Sequence, residues 1–175
     1  SMELMSMEYW SDFYLDDDSF IRAKREHLED ILSMLPWIAM IDKFQHRLYE
    51  NFDHSATDRK ELWKEIINEF GSTVVDWSGY EEAQIYSWQK QLHLFEVPFY
   101  YIEYGMAQLG ALAVWKNYKE NPARAVEQFK AALELGYTRS IGEVYSTAGI
   151  SFDFSEAYMR DLADFVKAEL DILKA

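Results

Sequence analysis

Apolar residues recur along this chain at the three-and-four spacing of a helix, and almost nowhere at the every-second spacing of a strand. Met2, Met5, Tyr9, Trp10 and Phe13 predict a helix over 2–14. Leu15-Asp-Asp-Asp18 stops it and offers carboxylates to cap the next helix. From Asp18 to Asn51 the register is kept by Phe20, Ala23, His27, Ile31, Met34, Leu35, Ile38, Ile41, Phe44 and Leu48. Pro36 interrupts it, so the helix either kinks there or ends and restarts. A polar turn leads into a helix over 61–70 that Gly71 closes. Residues 72–79 read as a loop that packs Trp77 against the core.

The longest helical pattern covers 80–118. At about 100° per residue, Tyr86, His93, Val97, Tyr100 and Tyr104 share one face, with Phe95, Phe99, Ile102, Met106, Leu109 and Ala113 roughly opposite. Pro98 lies inside the pattern, where it predicts a kink and a carbonyl left free at Leu94. Asn121-Pro122 restarts the chain as a helix to Leu135, closed by Gly136. A short helix over 138–148 turns Ile141, Val144 and Tyr145 inward, and Gly149 ends it. Ser155 caps the last helix, which runs to Lys174 and buries Ala157, Leu162, Phe165, Leu170 and Ile172. The expected fold is all-α, about seven helices in one domain over residues 1–175. The segment 121–136 has the look of one helix from a tetratricopeptide repeat, but no period recurs, so a repeat array is excluded.

Composition narrows the picture. With 49% apolar residues and 17% aromatics the chain has material for a core, and seven glycines and three prolines suit long helices. Thirty-one acidic against 17 basic residues give a net charge of -14, which repels nucleic acid and anionic membranes. No apolar run approaches a membrane span. The chain has no cysteine, hence no disulfide, thiolate nucleophile or cysteine metal site, and it fits a reducing cytoplasm.

Candidate chemistry is sparse. The histidines are His27, His46, His54 and His93, and none belongs to a His-Glu-x-x-His helix. There is no glycine-rich phosphate loop and no Gly-x-Ser-x-Gly elbow. His93 stands apart because tyrosines share its face. Hydroxyls and an imidazole are donors that can meet charge developing on a carbonyl oxygen.

Several stretches carry a family resemblance. Ser1-Met2-Glu3-Leu4, Trp77-Ser-Gly-Tyr80, His93-Leu-Phe-Glu-Val-Pro-Phe-Tyr-Tyr-Ile-Glu-Tyr-Gly-Met-Ala-Gln-Leu-Gly-Ala-Leu112, Ala132-Leu-Glu-Leu-Gly136 and Ala148-Gly-Ile-Ser-Phe-Asp-Phe154 resemble the oligoendopeptidase F family, relatives of thimet oligopeptidase. The resemblance implies a helical zinc metallopeptidase that cleaves short peptides inside a deep channel. In that family zinc is held by the two histidines of a His-Glu-x-x-His helix and by a later glutamate, with the helix glutamate as general base. The resemblance places those residues upstream of residue 1, and by register Glu3 matches a later glutamate that is not a ligand. The chain is expected to be the C-terminal portion of the catalytic domain, with no metal ligand of its own.

Carried over, His93 matches the family's substrate-binding histidine and Tyr104 its main oxyanion tyrosine. A second tyrosine is Tyr101 by ungapped spacing or Tyr100 by helical phase. The isolated chain is then expected to be inactive and zinc-free, to have short peptides as partners, and to self-associate through an exposed channel wall. The competing expectation is a non-catalytic peptide-binding or scaffold protein derived from such an enzyme.

Overall fold

The computed structural model describes residues 1–173 and is all-α, with no strand among them. The predicted end of the last helix at Lys174 lies outside the described residues. Among the described residues there are nine α-helices: α1 (Met2–Ser6), α2 (Asp17–Glu50), α3 (Ala56–Phe70), α4 (Glu81–Ile85), α5 (His93–Glu96), α6 (Ile102–Glu120), α7 (Pro122–Leu135), α8 (Ile141–Thr147) and α9 (Glu156–Ile172). Short 3₁₀ segments at Met7–Asp12 and Ser87–Lys90 complete the path.

The caps follow the sequence signals. Asp16 Oδ1 accepts the Ser19 N–H at 2.8 Å, so the acidic run does open α2. Ser55 with Asp58 and Ser140 with Glu143 form reciprocal capping boxes on α3 and α8. These bonds hold both carboxyls below the usual range. Asn121 and Ser155 accept the Arg124 and Tyr158 N–H groups to start α7 and α9.

The chain forms two compact units, Leu32–Gly105 and the combination of Ser1–Ile31 with Met106–Ala175. In the first, Met40, Ile41 and Phe44 of α2 join Trp63 and Ile66 of α3 and Trp88. The rings interlock edge to face: Trp37–Trp63 at 5.6 Å and Phe44–Trp63 at 5.2 Å. A Cβ on Gly105 would meet the Ile38 side chain at 3.3 Å, so the glycine sets how closely α6 approaches α2 there. In the second unit, Val114, Ala132 and Ala148 pack with Met5, Phe129, Val144 and Ile150, and Trp115 meets Phe165 at 4.9 Å.

Three expectations are corrected. Trp77 is exposed, in a loop shaped by Asp76 accepting the Ser78 N–H and by Gly79 at φ 80°. Ile141, Ala157 and Ile172 are exposed; Leu162, Val166 and Leu170, four apart, form the buried stripe of α9 and leave 157 and 172 off its axis. The 80–118 pattern is not one helix but α4, a 3₁₀ turn, α5 and α6. By contrast α2 runs unbroken through Pro36.

Candidate functional site

The break in the long pattern centres on Pro98, with a local trigger and a distant clamp. A residue before proline is driven out of the α region, and Val97 lies outside it at φ -137°, ψ 75°. Phe99, after Pro98, takes φ 60°, a left-handed conformation rare for an aromatic residue. Its N–H donates to Gln45 Oε1 at 2.7 Å. Gln45 is 2% exposed and sits on α2, so a buried amide from another helix clamps the turn. The Phe99 ring packs on His46 at 4.8 Å and Tyr49 at 4.9 Å.

The turn folds the following tyrosines back onto α5. His93 lies 4.8 Å from the ring of Tyr101, 5.5 Å from Tyr104 and 6.2 Å from Tyr100, the last nearly parallel at 3°. His93 Nε2 and the Tyr104 hydroxyl are 3.4 Å apart. Gln91 Nε2 lies 2.7 Å from His93 Nδ1, and Gln91 Oε1 accepts the Trp37 indole N–H at 3.0 Å. Tyr100 and Tyr104 are exposed, whereas Tyr101 is half-buried, and its burial pushes its hydroxyl above the usual phenol range against a smaller opposing effect from Trp37.

All four expected site residues, His93, Tyr100, Tyr101 and Tyr104, therefore converge. Helical phase put Tyr100 on the histidine's face and left Tyr101 off it; with the helix broken, both tyrosines reach the ring. Tyr86 does not join them, and its ring instead carries Lys60 Nζ at 5.0 Å. Trp37, Gln45 and Gln91 were not among the expected residues. Their signal is a contact across 54 positions in the pairs Trp37–Gln91 and Gln45–Phe99, which no local pattern contains.

The other histidines are dispersed. His54 Nδ1 is 2.9 Å from Arg59, His46 Nε2 is 3.5 Å from Asp42, and His27 Nε2 is 4.0 Å from Glu3. Among the described residues no three His, Asp or Glu side chains converge as metal ligands. A tetrahedral zinc site needs three or four such donors, so the donor set of these residues does not fit zinc. The His93 cluster can instead present hydrogen-bond donors to a carbonyl or a developing oxyanion.

Known proteins resemble the chain in sequence and in fold. Residues 1–164 match the family model for Peptidase family M3. The chain is similar to a solved structure assigned to oligoendopeptidase F, at 30% identity and a TM-score of 0.77, over 88% of this chain and 27% of that one. It is similar to PZ peptidase A bound to an inhibitor, at 26% identity and a TM-score of 0.86, over 97% of this chain and 30% of that one. A third structure, assigned to oligoendopeptidase F from Bacillus anthracis, gives 26% identity and a TM-score of 0.73, over 99% and 28%. The chain thus spans less than a third of each of these proteins. No curated protein matches it significantly.

Proposed function

Because the chain belongs to peptidase family M3, we propose that it is the substrate-gripping, C-terminal portion of a zinc-dependent oligoendopeptidase catalytic domain acting on short peptides. The observation that carries this reading is the convergence of His93, Tyr100, Tyr101 and Tyr104 at an exposed face. Tyr104 is the main donor to the carbonyl oxygen as it takes up charge, and His93 supports it. Tyr100, exposed, is placed to touch peptide, whereas Tyr101 braces the cluster from its half-buried position. Zinc ligands and the general base would come from elsewhere in such an enzyme, since among the described residues no three donors converge as metal ligands. No helix among the described residues is long and apolar enough to cross a membrane.

The test is Tyr104→Phe in the zinc-bearing peptidase. A donor made only in the transition state acts on kcat, and losing one costs on the order of a hundredfold. KM should move far less. An unchanged kcat removes Tyr104 from the reaction. Leu92, Phe95 and Val97 beside the cluster are exposed, so the 175-residue chain should self-associate through that wall. Sedimentation at constant apparent mass over a wide concentration range would refute the self-association.

A further inference from the structure

The geometry points to a directed chain of hydrogen bonds, anchored on Trp37 and passed by Gln91 through His93, that commits the Tyr104 hydroxyl to donate outward. This inference rests on the reading of Tyr104 as the residue that meets the substrate carbonyl, and it adds Gln91 and Trp37 as positioning residues.

Each link is decided by what its atoms can do. An indole N–H only donates. Trp37 Nε1 lies 3.0 Å from one end of the Gln91 side chain, so that end is the carbonyl oxygen. The other end is then the NH₂ group, which only donates, and it lies 2.7 Å from His93 Nδ1. Turning the amide over would set two donors against each other at the Trp37 end. His93 Nδ1 therefore accepts, and in the neutral ring the proton sits on Nε2. That N–H faces the Tyr104 oxygen at 3.4 Å, a long contact of the kind that tightens when a ligand is gripped. With its oxygen accepting from His93, Tyr104 has its own proton free to point away from the histidine. The ring of Tyr104 stands at 89° to the imidazole and the residue is exposed, so the hydroxyl has open space in which to find an acceptor.

The Trp37 anchor is itself held. Lys90 Nζ lies over the indole at 4.3 Å, and the ring packs edge-on against the fully buried Trp63. The chain starts from a fixed core group and ends at an exposed hydroxyl, which is the order that preorganises a donor.

Nitrogen NMR of the histidine-labelled chain, at a pH where the ring is neutral, reads the tautomer directly. The expected result for His93 is a protonated Nε2 and an unprotonated Nδ1. Gln91→Glu replaces the donor NH₂ with an acceptor oxygen and keeps the side-chain size, so the proton should move to Nδ1 and the Nε2–H signal should be lost. Trp37→Phe frees the amide to turn over and should leave a mixture of both tautomers. Nδ1 protonation in the unaltered chain, or an unchanged spectrum in Gln91→Glu, overturns the inference; because the unaltered chain is decisive, a variant that fails to fold does not rescue it. No peptide is needed for this measurement. An Nε2-protonated His93 alongside an indifferent Tyr104→Phe would therefore uphold the relay and overturn the catalytic reading instead.

Discussion

Pro36 and Pro98 sit in opposite surroundings. Pro36 lies inside α2, which carries on for another fourteen residues to Glu50 without a break. Pro98 lies where the backbone leaves the helix altogether, between a non-helical Val97 and a left-handed Phe99. Each proline removes an N–H, and inside a helix, as at Pro36, the ring also crowds the carbonyl four residues back. What differs is the support. Around Pro36, Ile38, Met40, Ile41 and Phe44 are buried against the core, and that packing holds the helix together across the missing bond. Around Pro98, Glu96, Val97 and Pro98 are exposed, and the backbone is held by Gln45 on the Phe99 amide. The same residue type is a tolerated defect in a strut and a working part of a turn. The strut then shapes the turn, since Trp37 and Gln45 both come from α2.

The difference can be broken most forcefully at Pro36. Pro36→Ala restores a helical N–H opposite the Leu32 carbonyl and relieves the ring contact, so stability should rise by up to about 3 kcal/mol. Urea denaturation at unchanged slope would read it. A loss of stability would mean that the half-buried ring contributes more by packing than it costs, and that the helix is not strained there.

Gln45→Leu should act next in size and in the opposite sense. It leaves the Phe99 N–H without its acceptor, a loss of about 1–3 kcal/mol. The lower end is expected, because the substitution also removes a buried Nε2 that has no partner among the described residues. Amide exchange at Phe99 should speed up before global unfolding, since Gln45 is the acceptor that protects that N–H. Full protection of the Phe99 amide in the variant would show that the turn is set elsewhere.

This is also where the limit of sequence reasoning lies. The Asn121-Pro122 restart and the Ser155 cap are legible because each involves residues at most three apart; the capping boxes at Ser55 and Ser140 are equally local but were not among the expected caps. The helical class is legible because periodicity is local. His93 and the tyrosines are legible as a group, since they fall within a dozen residues of one another. A kink at Pro98 is legible, but the full break that assembles them is not, because apolar periodicity continues through 93–109 whether or not the backbone does. What clamps the turn is Gln45, 54 residues from Phe99, and a single glutamine near the C-terminal end of α2 carries no mark of that role. Gln91 is hidden for the same reason: its partner on the other side is Trp37.

Pro98→Ala gives the smallest effect and the sharpest sign. If the stretch 93–104 were a helix that proline spoils, alanine would stabilise it and draw the tyrosines onto a continuous helical face. The structure argues otherwise. Val97 and Phe99 are already outside the helical region, and the Phe99 N–H already has a partner, so alanine finds no helix to repair. What remains is the unfolded state, where proline restricts the chain and alanine does not. Pro98→Ala should then cost about 0.4–1 kcal/mol, opposite in sign to Pro36→Ala. The His93–Tyr104 contact, followed by ring-proton cross-peaks, should survive. A gain in stability with loss of that contact would show that the proline itself, rather than the clamp from α2, makes the turn.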